Sequence, residues 1–181
     1  MTSFANDVTY HPVFPVPIFR LHVKVEAGEV EYWEQQAQEN KEQDVRSVSN
    51  GWQSPRYRES TPTTRALQSL GFQTNMWWVN VLPPGGSNTL HSHPGVEFAA
   101  VRYLTTAHGL VLTNPHNHLY EHLFNFWDDE RTHSKREVEL QGQAGDVYIF
   151  PANIYHRVKP TNQPRISIAY NLRCQTQQEH L

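Results

Sequence analysis

The chain of 181 residues contains one cysteine, Cys174. One cysteine makes neither an internal disulfide nor a thiolate zinc site, so the fold does not depend on oxidation. No apolar run approaches the roughly 18 residues that a helical membrane span needs. The opening MTSFANDVTYHPVF lacks a basic region followed by an apolar stretch, so no targeting segment is expected and a soluble cytoplasmic protein is the reading. Neither charge dominates: 15 Lys and Arg face 18 Asp and Glu, for a net charge of −3. With no Lys/Arg stripe, there is no electrostatic case for nucleic acid. Repeats and low-complexity segments are also missing.

What is present fits a globular protein. Hydrophobic residues make up 38% and aromatics 12%, and the length suits one domain with a sizeable core. The expected organisation is a single domain over 1–181, with an N-terminal strand and helices over 1–71, a β-barrel core over 72–173 and a tail over 174–181. Residues 13–25, VFPVPIFRLHVKV, read as an extended segment whose prolines suit a sheet edge. Residues 27–43 read as a helix with Val30 and Trp33 on one face. Residues 44–60 read as a loop. TPTTRALQSLGF predicts a short helix capped by Thr61, with Pro62 in its first turn and Gly71 at its stop.

From residue 72 the pattern changes to about eight short strands separated by turn residues, the signature of a β-sandwich or barrel. Those strands are FQTNMWWVNVL, TLHSH, FAAVRYLTT, LVLT, REVEL, DVYIF, HRVK and RISIAYNL, with AHG at 107–109 read as a break. The stretch from Pro115 to Lys135 is long for a connection and carries Phe124, Phe126 and Trp127, which marks it as a covering loop.

The 11 histidines are the unusual count. Strand side chains alternate faces, so His91 and His93 of HSH point the same way and can grip one ion. His156, which starts a later strand after a Pro turn, is the candidate third ligand. An HxH pair before a Pro-Gly turn, followed by Gly145-x5-Pro151-x4-His156, is the two-part pattern of double-stranded β-helix metal sites. The expected fold is therefore mainly β, a double-stranded β-helix or cupin-like jelly-roll barrel with one or two N-terminal helices packed outside. Nine residues after His156 comes Arg165, which shares a strand face with Ser167. A planar guanidinium fork and a hydroxyl together make a candidate carboxylate anchor.

On these residues the chain resembles the 2-oxoglutarate/Fe(II)-dependent oxygenases, in particular a compact bacterial and phage subgroup. The matching pieces are GWQS at 51–54, WWVNVLPPGGSNTLHSHPG at 77–95, RYL at 102–104, GDVYIFPANIYHRVKP at 145–160 and RISIAYNL at 165–172. The resemblance implies Fe(II) as metal and 2-oxoglutarate as cosubstrate. It implies that His91 and His93 occupy the HxD/E motif with histidine in the acid position, and that His156 is the distal histidine. Arg165 and Ser167 match the pair that binds the distal carboxylate of 2-oxoglutarate. Tyr103 matches a tyrosine that touches the same carboxylate in related hydroxylases, and Asn80 is a candidate contact to cosubstrate or substrate. The implied activity is a dioxygenase that hydroxylates or otherwise oxidises a C–H bond of a small molecule, with release of succinate and CO2 and no catalytic side chain beyond the metal centre. Two departures bear on the substrate more than on the metal. Ala99-Ala100-Val101-Arg102-Tyr103-Leu104 stands where the subgroup reads Ser-Gly-x-Tyr-Tyr-Leu, and the segment between GWQS and the WW strand is shorter. An all-histidine triad also leaves the site one charge more positive than a triad with a carboxylate.

Three other readings stay open on the residues. A cupin-type enzyme without 2-oxoglutarate would add Glu97 as a fourth ligand to His91, His93 and His156. A zinc site built from the same three histidines would activate water for a hydrolase or lyase. A non-catalytic binding barrel would use Trp52, Trp77 and Trp78 as its contact surface. The remaining histidines, His108, His116, His118, His122 and His133, read as solvated, as does WDDER, and Cys174 has no partner pattern for a nucleophile. The apolar N-terminal strand is a candidate for pairing across a homodimer.

Overall fold

A computed structural model describes residues 16–40, 46–117 and 136–175. Eleven strands and two helices follow in the order β1 (Phe19–His22), α1 (Glu29–Glu39), β2 (Val48–Ser49), β3 (Trp52–Gln53), α2 (Pro62–Ser69), β4 (Phe72–Leu82), β5 (Ser87–His91), β6 (Phe98–Tyr103), β7 (Ala107–Thr113), β8 (Glu137–Gly142), β9 (Asp146–Pro151), β10 (His156–Val158) and β11 (Arg165–Cys174). They form two antiparallel sheets, one of six strands ordered β1-β9-β6-β11-β4-β3 and one of five ordered β2-β5-β10-β7-β8. This is the expected jelly-roll, with eight strands from residue 72 onward. Among the described residues no helix is long and apolar enough to cross a membrane.

The six-stranded sheet is covered on both faces. Val147 and Ile149 of β9, Ala100 of β6, Ile166, Ile168, Tyr170 and Leu172 of β11, and Trp77 and Val79 of β4 pack with Trp33 of α1 and Leu67 of α2. The intervening residues Ala99, Val101, Tyr103, Tyr148, Phe150 and Leu82 face inward and meet Leu110, Leu112, Ile154 and Val158 of the other sheet's side of the barrel. Each large apolar side chain so buried contributes ~1.5–3 kcal/mol. By the same alternation, Arg165, Ser167, Ala169 and Asn171 of β11 all face the barrel interior.

The helices are fixed to the sheet's outer face by specific contacts. α2 starts in a reciprocal capping box between Thr61 and Thr64, with Pro62 in the first turn, and Gly71 ends it at a φ of 85°. α1 has no side-chain cap. Its first-turn Glu29 instead binds buried Arg102 at 2.6 and 3.0 Å, and Arg102 also donates to the Lys24 carbonyl at 2.8 Å. Among the described residues β1 is an edge strand, as its prolines suggested, and pairs with β9 alone.

Several local expectations are corrected. The segment read as a loop over 44–60 contains β2 and β3, each of two residues, which lengthen the sheets by pairing with β5 and β4. AHG is no break. It opens β7, where a register shift between Ala107 and Leu110 absorbs Gly109 at a φ of 95°. The strand carrying HSH ends at His91, so His93 sits in the following turn, held by its N–H to the Ala152 carbonyl at 2.9 Å. The covering loop with Phe124, Phe126 and Trp127, the histidines His118, His122 and His133, and the tail beyond 175 lie outside the described residues, as does the N-terminal part of the strand proposed for dimer pairing.

Candidate metal and carboxylate site

β5 and β10 are neighbours, and His91 is the direct cross-strand partner of His156. Paired residues share a face, so both imidazoles enter the barrel. His93 reaches the same point from the turn after β5. One candidate ligand nitrogen from each of the three lies within 4.8 Å of the other two. The rings are held from behind. His91 Nδ1 meets the Thr89 carbonyl at 2.7 Å and His156 Nδ1 meets the Ile154 carbonyl at 3.0 Å. His93 Nδ1 is bound to Asn171 Oδ1. These oxygens only accept, so each Nδ1 carries the proton and each Nε2 keeps its lone pair for the cavity. Trp78 stacks on His93 and the edge of Phe150 meets His156.

The electrostatics agree. Burial pushes His93 down to about 4 and His156 to about 3, with the hydrogen bond to each opposing the shift, and burial lowers His91 as well. The imidazoles are therefore neutral at neutral pH, the state in which they bind a cation.

The cleft that holds these histidines is also lined by Arg165, Ser167, Asn80 and Asn88. Arg165 is 1% exposed. Its Nε and Nη2, the Ser167 Oγ and the Tyr103 Oη are buried without hydrogen-bond partners, and no ion pair to Arg165 exists among the described residues. Its guanidinium lies 5.0 Å above the Tyr103 ring centroid. An unpaired buried cation is strongly destabilising, so a built site of this kind calls for an anion with several acceptor positions. A carboxylate fits: it offers two oxygens to the guanidinium fork and a further lone pair to a hydroxyl. The donor sets thus suit a metal ion at one part of the cleft and a carboxylate at another.

Of the other expected residues, Tyr103 does not line the cleft itself but underlies Arg165. Burial raises its hydroxyl, opposed by the charge of Arg165. Asn80 lines the cleft, yet its Oδ1 is already taken by Gln53 Nε2 at 2.8 Å, leaving Nδ2 to meet a ligand. Glu97 is exposed and outside the histidine cluster; its carboxylate accepts the Cys174 N–H. The four-ligand cupin set is therefore not assembled. Trp52 and Trp77 belong to the core under the helices and Trp78 is buried against His93, so these three form no exposed surface. A second depression, near Thr106–Gly109 and Lys159–Pro164, has its charges engaged, with Glu139 bound to Lys159 and to the Gly109 N–H.

Two residues of the site, Asn88 in the cleft wall and Asn171 behind His93, escaped the sequence reading. Asn171 was legible, since it lies six residues after Arg165 on the same strand face. Asn88 was not, because regular alternation assigns it to the opposite face from His91.

Residues 76–171 match the family model described as "Putative 2OG-Fe(II) oxygenase". No curated protein matches the sequence. Among solved structures, the chain is similar to a prolyl-4-hydroxylase from Pseudomonas putida, with a TM-score of 0.60 and 13% identity over 88% of this chain and 93% of that one. HygX from Streptomyces hygroscopicus, solved with nickel and 2-oxoglutarate, gives 0.58 and 11% over 89% and 84%. A Trichoplax adhaerens prolyl hydroxylase, in complex with a hypoxia inducible factor peptide fragment, gives 0.56 and 12% over 87% and 83%. At such identities these likenesses establish the fold.

Proposed function

As the chain belongs to the 2OG-Fe(II) oxygenase family, we propose that it is a 2-oxoglutarate-dependent dioxygenase acting on a C–H bond of a small substrate. In this reading His91, His93 and His156 hold Fe(II), and Arg165 and Ser167 bind the distal carboxylate of 2-oxoglutarate. Tyr103 supports the guanidinium from below, and Asn80 Nδ2 faces cosubstrate or substrate. The observation that carries the reading is the buried, unpartnered Arg165–Ser167 pair in the same cleft as three neutral histidines.

When bound, the metal and 2-oxoglutarate supply the oxidation: O2 is consumed and the keto acid is converted to succinate and CO2. The chain's residues do the rest. His91, His93 and His156 would hold the ion from their side of the cleft, which would leave room beside it for the keto acid. The Nδ1 hydrogen bonds hold the imidazole planes. Arg165 and Ser167 set the keto acid's depth, while the apolar walls Val101, Leu110, Val158 and Ala169 limit water.

Thermal unfolding tests the assignment. Mn(II), an inert substitute for iron, should raise Tm, and 2-oxoglutarate should raise it further, since a ligand specific to the folded state stabilises by ~2.7 kcal/mol at a hundred times its Kd. A metal-dependent shift with no further effect of 2-oxoglutarate sinks the proposal.

A further inference from the structure

Asn88 faces the cleft because β5 is irregular. On a regular strand the residue three before His91 points to the other face. Here two steps along β10, from His156 to Val158, stand opposite three along β5, from His91 to Asn88. The extra residue is a β-bulge, and bulges re-aim side chains. Asn88 thus lines the cleft with His91, while Leu90 between them is left 52% exposed.

The Asn88 amide is half used. Its Nδ2 donates to Ser47 Oγ at 3.0 Å, and its Oδ1 is buried without a partner among the described residues. Turning the amide by half a revolution exchanges its ends. A serine hydroxyl both donates and accepts, so in the turned form Ser47 donates to Oδ1, and Nδ2 points to where Oδ1 was. Both forms keep one hydrogen bond to Ser47, so the turn is nearly free. Only the turned form offers a donor to an anion.

We infer that Asn88, backed by Ser47, is a third anchor of the distal carboxylate of 2-oxoglutarate and helps set the preference for a dicarboxylate. The inference rests on the function proposed above. Asn88 stands two paired steps, about 7 Å, deeper along its strand than His91. Arg165 likewise stands six residues along β11 from Asn171, the partner of His93. The two residues line the same cleft from opposite sheets. A carboxylate bound to Arg165 accepts from Nδ2 and selects the turned amide.

The test uses Mn(II)-loaded protein titrated calorimetrically with 2-oxoglutarate and with 2-oxobutyrate, which keeps the keto-acid end and lacks the distal carboxylate. Wild type should prefer 2-oxoglutarate. Asn88→Ala should weaken 2-oxoglutarate binding roughly ten- to a hundredfold, the effect of losing a hydrogen bond to a charge, and leave 2-oxobutyrate and Mn(II) affinities unchanged. Asn88→Asp should lose more, through like-charge repulsion. Equal weakening of both keto acids would mean a structural role and overturn the inference. If Arg165→Ala abolishes the preference while Asn88→Ala retains it, the role of Asn88 falls and the site reading stands. No preference in wild type sinks both. If Asn88→Ala does not fold, Ser47→Ala decides: it removes the donor to Oδ1 and should cut the preference several-fold, and full preference there overturns the inference.

Discussion

Each histidine of the cluster depends on an oxygen behind its ring, and the three oxygens differ in kind. Thr89 and Ile154 supply backbone carbonyls two residues before His91 and His156, so no substitution removes them. Asn171 supplies a side chain to His93, which can be deleted. Asn171→Ala should free the His93 ring and its tautomer and weaken Mn(II) binding ~10–100-fold, the usual effect of losing a partner behind a metal ligand. The binding of 2-oxoglutarate to whatever metal-loaded protein remains should change less. Metal titration of the variant checks this, and wild-type affinity would remove Asn171 from the site. At this scale much was legible beforehand. HSH, His156 and the nine-residue step to Arg165 are local patterns with a chemical rationale. The pairing of His156 with His91 joins residues 65 positions apart in sequence, and periodicity carries no information about such a contact.

Elements position these residues through close approaches that leave no room for variation. A Cβ at Gly142 of β8 would stand 2.5–2.6 Å from three Tyr103 ring atoms, and that ring lies under the Arg165 guanidinium. Gly142→Ala must therefore push the ring toward the carboxylate anchor. The expected result is an overpacking loss of ~1–3 kcal/mol in denaturant unfolding, together with weaker 2-oxoglutarate binding and unchanged Mn(II) affinity. Unchanged binding of the keto acid would show that Tyr103 does not set the position of Arg165. The elements were less legible than the motifs, for identifiable reasons. β6, β9 and β11 are buried on both faces, so they read as nearly continuous runs, and their inward residues cannot be told from their outward ones by hydrophobicity alone. β2 and β3 have two residues each, too few for any pattern. The bulge in β5 reverses the parity of Asn88, and the irregularity at Gly109 made the start of β7 look like a turn.

For the molecule as a whole, the six-stranded sheet separates two tasks: its outer face binds the helices through an apolar layer and the Arg102–Glu29 pair, and its inner face carries the cleft. The edge of that sheet is closed by β1, which leans on a polar clasp at the end of β9. Asp146, nearly buried, accepts from Arg20 Nη2 at 2.7 Å and from the Gln143 N–H at 2.8 Å, with His22 Nδ1 at 3.6 Å. Burial works to raise the Asp146 carboxyl, but the Arg20 and Gln143 hydrogen bonds, the Arg20 charge and the His22 contact outweigh it and hold the group below its usual 3.8. A carboxyl depressed in the folded state stabilises fully above the unfolded value, and that contribution is lost as pH falls through the folded one. The acid limb of the stability curve should therefore begin near pH 4 and steepen below it. Asp146→Asn, which keeps the shape and removes the charge, should have a lower Tm at neutral pH and a shallower acid limb, so that the two curves converge below about pH 4. Parallel curves at every pH would mean that the clasp acts through shape and hydrogen bonding alone. Because β1 packs against β9 and not against the cleft, Mn(II) and 2-oxoglutarate affinities at neutral pH should be the same in the variant, which separates the stability of the scaffold from the chemistry of the site.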